Sequence, residues 1–279
     1  MWHFREVGSG RPLVLLHGLG MSHTAWTAVT PHLCSTRRVI AFDIAGFGAT
    51  PPLSGGDLPT VPNLVSELER SLDEVGIETP VDIVGNSLGG WMALEAARRG
   101  IARSVVAIGP AGLWKKHPPH HVKYVLGALR FLAKHAPNLM KATVRRPLLR
   151  ELAFAVPLSV GSRRMPVDDA VRAVDDLAAA SAFEETFEST LAPFTGGRNI
   201  AVPVTVAFGD RDWIVTKSSR YRRELPFHTR WIEKAHWGHV PMWIDPLGVT
   251  QVILEGTRGA PIRAIPGVSE GCRTELHVR

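Results

Sequence analysis

The chain is poor in cysteine. Its two residues, Cys34 and Cys272, lie far apart and form no CxxC pair, which argues against both a disulfide framework and a zinc site. It also lacks any run of about 18 uncharged apolar residues, so no membrane span is expected. The opening Met1-Trp2-His3-Phe4-Arg5-Glu6 is charged and has neither the apolar stretch nor the small-residue cleavage site of a secretory leader. A cytoplasmic protein is the expectation. Acids are missing from one stretch: between Lys115 and Arg164, eleven lysines and arginines face a single carboxylate, Glu151. Aromatic-interleaved basic motifs and nucleic-acid recognition modules are missing too, so the net charge of +6 does not argue for a nucleic-acid partner.

What is present suffices for one large domain, or a domain with an insertion: 279 residues, 45% of them apolar. Compact apolar runs recur at Leu13 to Leu16, Val39 to Phe42, Val81 to Val84 and Ser104 to Ile108. A helical stretch from about Trp91 to Arg99 lies between the last two and stops at Gly100. Such runs, spaced by helices and ended by Gly or Pro, indicate a mostly parallel α/β sheet covered on both faces. The pattern breaks at Pro110 and resumes with Val204 to Phe208 and Arg230 to Glu233. Asp245-Pro246 then supplies an N-cap and first helical residue for a closing helix to about Leu254.

The segment between, 111–200, carries helical spacing only. Val122, Val125, Leu126, Leu129 and Leu132 fit one helix, and Val171, Val174 and Leu177 fit a second starting near Pro166. It reads as a helical cap inserted into a core made of 1–110 and 201–256, with a loosely attached tail at 257–279. Two readings of the cap's positive charge stay open. It could contact anionic lipid or steer an anionic substrate, or its helices could bury their apolar faces on the core and leave the charges to water, which is the commoner pattern.

Chemistry is concentrated at Gly85-Asn86-Ser87-Leu88-Gly89-Gly90. A Gly-x-Ser-x-Gly between a strand and a helix is a turn so tight that side chains two positions either side of the Ser would collide with neighbouring chain, leaving the hydroxyl exposed at the end of the sheet. A serine is a weak nucleophile until a base takes its proton, and the base needs an acid to orient it. His239, in Trp237-Gly238-His239-Val240, is the candidate base, with His236 as competitor. Asp212, after the Val204 to Phe208 strand, is the candidate acid, with Asp210 as competitor and as a local turn cap.

The order Ser, acid, His resembles the α/β-hydrolase superfamily. The resemblance rests on four matches: His17-Gly18-Leu19-Gly20, Asp43-Ile44-Ala45-Gly46-Phe47-Gly48, the Ser87 turn, and Gly209-Asp210-Arg211-Asp212 with Gly238-His239. It implies that the acid is Asp212, three residues after Gly209, and that the base is His239, after Gly238. It implies further that the backbone amides of Leu19 and Leu88 form an oxyanion hole, while the His17 side chain is open to a purely structural reading. Members usually begin with a leading hairpin. Here the chain starts too late for that first strand, so seven strands are expected in place of eight, with Trp2 to Val7 at or near an edge.

A Ser nucleophile argues against the branches that open epoxides or remove halides through a carboxylate. The elbow is similar to that of carbon–carbon hydrolases of ring meta-cleavage products, but those carry a Trp after the catalytic His where this chain has Val240. A carboxylesterase acting on small-molecule esters is therefore expected, with the carbon–carbon hydrolase as alternative. Another alternative is a hydrolase-fold receptor, against which an intact Ser, Asp and His set argues. Trp213, Trp237 and Trp243 are candidates for the substrate wall, with core packing as the other reading. No metal or organic cofactor is implied.

Overall fold

The computed structural model describes residues 1–155 and 161–258. Its centre is a seven-stranded sheet: β1 (Phe4–Val7), β2 (Arg11–Leu16), β3 (Arg37–Phe42), β4 (Val81–Asn86), β5 (Ala102–Ile108), β6 (Val204–Gly209) and β7 (Arg230–Lys234). They lie in the order β1-β3-β2-β4-β5-β6-β7. All pairs are parallel except β1 with β3, which puts β1 on an edge as an antiparallel strand.

Alternate residues of each central strand enter different cores. Leu13, Leu15, Val39, Val84, Val106 and Ala207 join one apolar cluster, while Val14, Leu16, Ile40, Ile83, Val105 and Val206 join the other. This period of two, apolar at both phases, explains why the strands read as continuous apolar runs. The first cluster is covered by α1 (Thr30–Leu33) and α9 (Pro246–Gly256). The second is covered by α2 (Val61–Glu74) and α3 (Leu88–Arg98). At α9 the Asp245 carboxylate caps the helix by accepting from the Gly248 N–H at 2.9 Å, with Pro246 in the first turn.

Between β5 and β6 the chain leaves the sheet for α4 (His120–His135), α5 (Pro137–Arg145), α6 (Pro147–Ala155), α7 (Val167–Ala179) and α8 (Phe183–Ser189). These helices rest on the end of the core where parallel strands finish. The Asp176 carboxylate of α7 accepts from the hydroxyls of Ser22 (2.6 Å) and Thr24 (3.0 Å) in the loop after β2. The basic residues are not all solvated. Arg130 and Arg150 are buried, Arg130 donating to the carbonyls of Leu177, Ala178 and Ala180 at the C-terminal end of α7, and Arg150 to those of Val144, Ser162 and Arg163. Guanidinium groups thus satisfy carbonyls that the helix ends leave open.

The first residue of the expected tail is tied to the core. Thr257 is buried, its hydroxyl accepting from Arg37 at 2.9 Å and its carbonyl from Arg11 at 2.5 Å. The expectation for 259–279 lies outside the described residues. Among the described residues no helix is long and apolar enough to cross a membrane.

Candidate active site

The strand order reverses direction around β2, and loops at the carboxyl ends of the strands there meet in a crevice, the usual ligand position in such sheets. β4 ends on Asn86 and turns directly into α3. Ser87 makes the turn at φ 52°, ψ −112°, in the left-handed half of backbone space that residues with a side chain rarely adopt. The glycines around it are demanded by contact. A Cβ on Gly85 would stand 2.0 Å from the Gly89 carbonyl oxygen, and one on Gly89 would stand 2.3 Å from that of Leu16.

His239 is buried after the return from β7, and its Nδ1 lies 3.0 Å from Asp212 Oδ2. The carboxylate is itself held, since Asp212 Oδ1 accepts from the N–H groups of Ile214 (2.9 Å) and Val215 (2.8 Å). Three donors therefore surround one buried acid. The competing pair lies elsewhere: the Asp210 carboxylate accepts from the His236 N–H at 2.7 Å, in an exposed turn where His236 itself has φ 65°. Asp210 and His236 cap each other's loop.

Ser87 and His239 line a single apolar cavity between core and cap, with an empty volume of about 970 Å³ out to its mouth. The cap contributes Leu126 and Leu129 from α4, Met140 from α5, Phe154 from α6, and Val174 and Leu177 from α7. A smaller space of about 450 Å³ adjoins on the other side of Ser87, bounded by Leu19, Leu88 and Trp114 among others. Among the described residues no Lys, Arg, Asp or Glu lines either space. Leu19 and Leu88 line the smaller space with Ser87, and the Leu88 N–H belongs to the first turn of α3, where a helix has no acceptor of its own.

Residues 11–246 match the family described as alpha/beta hydrolase fold. The chain belongs to the alpha/beta hydrolases. It is 35% identical over 201 residues to epoxide hydrolase EphH of Mycobacterium tuberculosis, a match covering 68% of this chain and 91% of that one. A shorter match, 40% identical over 116 residues, covers 40% of the chain and 41% of 2-hydroxy-6-oxo-2,4-heptadienoate hydrolase of Pseudomonas putida. Among solved structures, carboxylesterase CesB of Bacillus subtilis superposes with a TM-score of 0.69 at 22% identity, over 91% of this chain and 86% of that one. This last likeness is one of fold.

In this alpha/beta hydrolase the three tryptophans have separate fates. Trp243 lines the large cavity. Trp237 does not: it is buried in the cluster beneath α9, where its Nε1 donates to Asp245 at 2.8 Å. Trp213 does not either, being 58% exposed. Of the loop residues Asp212 to Val215, Trp213 alone is exposed, the other three being buried. Its carbonyl instead lies 2.6 Å from His121 Nε2 of α4.

Sequence reasoning gave no role to two residues that build the hydrolase site, Asn86 and Arg220. Asn86 donates through Nδ2 to the carbonyls of Ile108 (3.0 Å) and His239 (2.9 Å). Arg220 donates to the carbonyls of Gly209 (2.8 Å) and Val215 (3.1 Å), the two ends of the loop carrying Asp212, and stacks over Phe208. The fully buried His17 links two loops, its Nε2 accepting from the Ile44 N–H at 2.9 Å and its Nδ1 lying 2.8 Å from the Gly18 carbonyl. Burial pushes this imidazole down to about 4, so it is neutral at neutral pH and its Nδ1–H is the donor to Gly18. That supports the structural reading of its side chain.

Proposed function

We propose that the chain is a serine carboxylesterase for neutral esters with an apolar acyl part. Ser87 Oγ attacks the ester carbonyl while His239 takes its proton, and Asp212 keeps the imidazole oriented and stabilises its charged form. The tetrahedral oxyanion is received by the N–H groups of Leu88 and Leu19, where a single donor is worth about 10² to 10³ in rate. Collapse expels the alcohol, protonated by His239, and leaves the acyl group on Ser87. Water, activated by the same histidine, then releases the acid. The observation that carries the reading is the meeting of Ser87, on its strained turn, with the Asp212-bonded His239 at one apolar cavity.

Two names among the relatives are weighed against this chemistry. An epoxide opened by a serine oxygen would give an ether, which has no carbonyl for water to attack, so turnover would stop after one event. The carbon–carbon reading draws support from the 40% identity over 116 residues to the Pseudomonas relative. The Pseudomonas relative's substrate is a carboxylate by name, and burying that charge calls for a cationic partner. The lack of a Lys or Arg among the described lining residues favours a neutral substrate.

The test compares wild type with Ser87→Ala on p-nitrophenyl esters from acetate to decanoate, with circular dichroism as the folding check. Hydrolysis lost only in the variant supports the serine esterase mechanism. A folded wild type inactive across the series overturns it.

A further inference from the structure

The cap turns large apolar side chains outward as well as inward. Leu126, Leu129, Met140 and Phe154 line the cavity, yet from the same three helices Tyr124, Phe131, Leu139, Leu148 and Leu152 are 62% to 77% exposed. On α4, Tyr124 and Phe131 stand seven residues apart, two turns along one stripe. Single residues join α4 to α5 and α5 to α6, and α5 packs against both, so the outer faces adjoin. Isolated exposed leucines are ordinary, but a concentration of this kind marks a contact surface.

The charge on the same helices is positive but for Glu151. Lys123, Lys134, Arg145 and Arg146 are exposed and have no side-chain hydrogen bond or ion pair among the described residues. Glu151 makes no ion pair with them, its carboxylate accepting instead from the Gly161 and Arg163 N–H groups and the Ser162 hydroxyl. A second copy of the chain fits this face poorly, since a twofold contact would set each cluster of cations against its like. An anionic lipid surface fits both features: leucine and aromatic side chains enter the acyl boundary while lysine and arginine meet phosphate.

We propose that the outer face of α4, α5 and α6 docks the protein on anionic phospholipid membranes as a peripheral protein. The proposal rests on the cap's outer surface and stands independently of the ester chemistry at Ser87.

The experiment is co-sedimentation of the full chain with vesicles of phosphatidylglycerol and phosphatidylcholine, against vesicles of phosphatidylcholine alone. Binding to the mixed vesicles is expected to be at least tenfold tighter and to weaken as salt rises from about 0.1 M toward 0.5 M. Arg145→Gln with Arg146→Gln is expected to weaken it at least tenfold, at about fivefold per cation near the surface. Leu148→Gln with Leu152→Gln is expected to weaken it at least as much while keeping the salt dependence. Thermal melting of both variants shows that the fold is intact. Equal binding to both vesicle types, or binding indifferent to the leucine pair, overturns the proposal. So does a dimer of the wild type that the leucine pair splits, seen by light scattering with no vesicle binding.

Discussion

The side-chain amide of Asn86 holds the backbone of His239: Nδ2 donates to the His239 carbonyl at 2.9 Å while also donating to that of Ile108 at 3.0 Å. The residue immediately before the serine thus fastens the loop of the histidine to the neighbouring strand end. The side chain of the histidine is oriented by Asp212, and its main chain by Asn86.

Replacing Asn86 with Ala takes the Asn86 donor from the His239 carbonyl, at about 1 to 3 kcal/mol, while the Ile108 carbonyl keeps the Ser87 N–H at 3.0 Å. We expect a lower melting temperature together with a fall in kcat of about tenfold or more, as an ångström of misplacement suffices for such losses. Asn86→Asp, matched in shape but carrying no N–H to give, should be no better. Steady-state kinetics beside thermal unfolding checks both.

Arg220 clasps both ends of the loop that carries Asp212. Lysine keeps the charge but not the planar fork or the stacking over Phe208. Arg220→Lys is therefore expected to lower kcat about tenfold with KM little changed, because the substrate cavity is not touched. A change in KM alone would show that the clasp does not position the acid.

The buried His17 makes stability depend on pH with a definite sign. Its folded value of about 4 lies below the ordinary 6.5 because burial disfavours the charged ring, so the unfolded chain binds the extra proton first. Stability from this residue is present above 6.5 and is lost as pH falls toward 4, by about 2 kcal/mol between pH 6.5 and 5. Asp43 is held well below its ordinary range: burial opposes this, but bonds from His23 and the Ala49 N–H outweigh it. Its contribution is lost only below the ordinary carboxylate value. Denaturant unfolding at pH 7, 6 and 5 should show the slope in wild type. His17→Asn should be less stable at pH 7 and lack that component of the slope.

Val174 and Leu177 of α7 line the large cavity, so bulk added there shortens the space for an acyl chain. Val174→Phe is expected to lower kcat/KM on decanoate at least tenfold relative to acetate. An unchanged ratio would mean that the acyl chain lies elsewhere, for instance beside Trp114 in the smaller space.

The central strands were legible because both phases of each are apolar, and the serine turn because Gly85 and Gly89 meet backbone where a Cβ would collide. Ser87, Asp212 and His239 could be proposed as a set, since each follows a strand end with a glycine nearby. The tryptophans could not be sorted, because which way Trp213 or Trp237 points depends on turns of one or two residues. Asn86 and Arg220 carry no periodic or spacing signal, since their partners are carbonyls in distant loops. Helix α2 and the short α5 and α6 went unread, although Pro62, Pro137 and Pro147 stand at their starts and supply a signal of the kind used for α9.

The insertion of the cap between β5 and β6 also sets an order of assembly. The serine turn is synthesised with β4 and α3, but Asp212 and His239 arrive only after the whole cap has been made, in the loops that follow β6 and β7. Until β6 pairs, β5 is an open edge with its apolar faces half covered, a template for pairing with another chain. Contacts that must span so much sequence form slowly. The Cβ-sensitive turn at Ser87 is thus completed before its partners exist, and the nascent chain is most exposed to aggregation while the cap is being made.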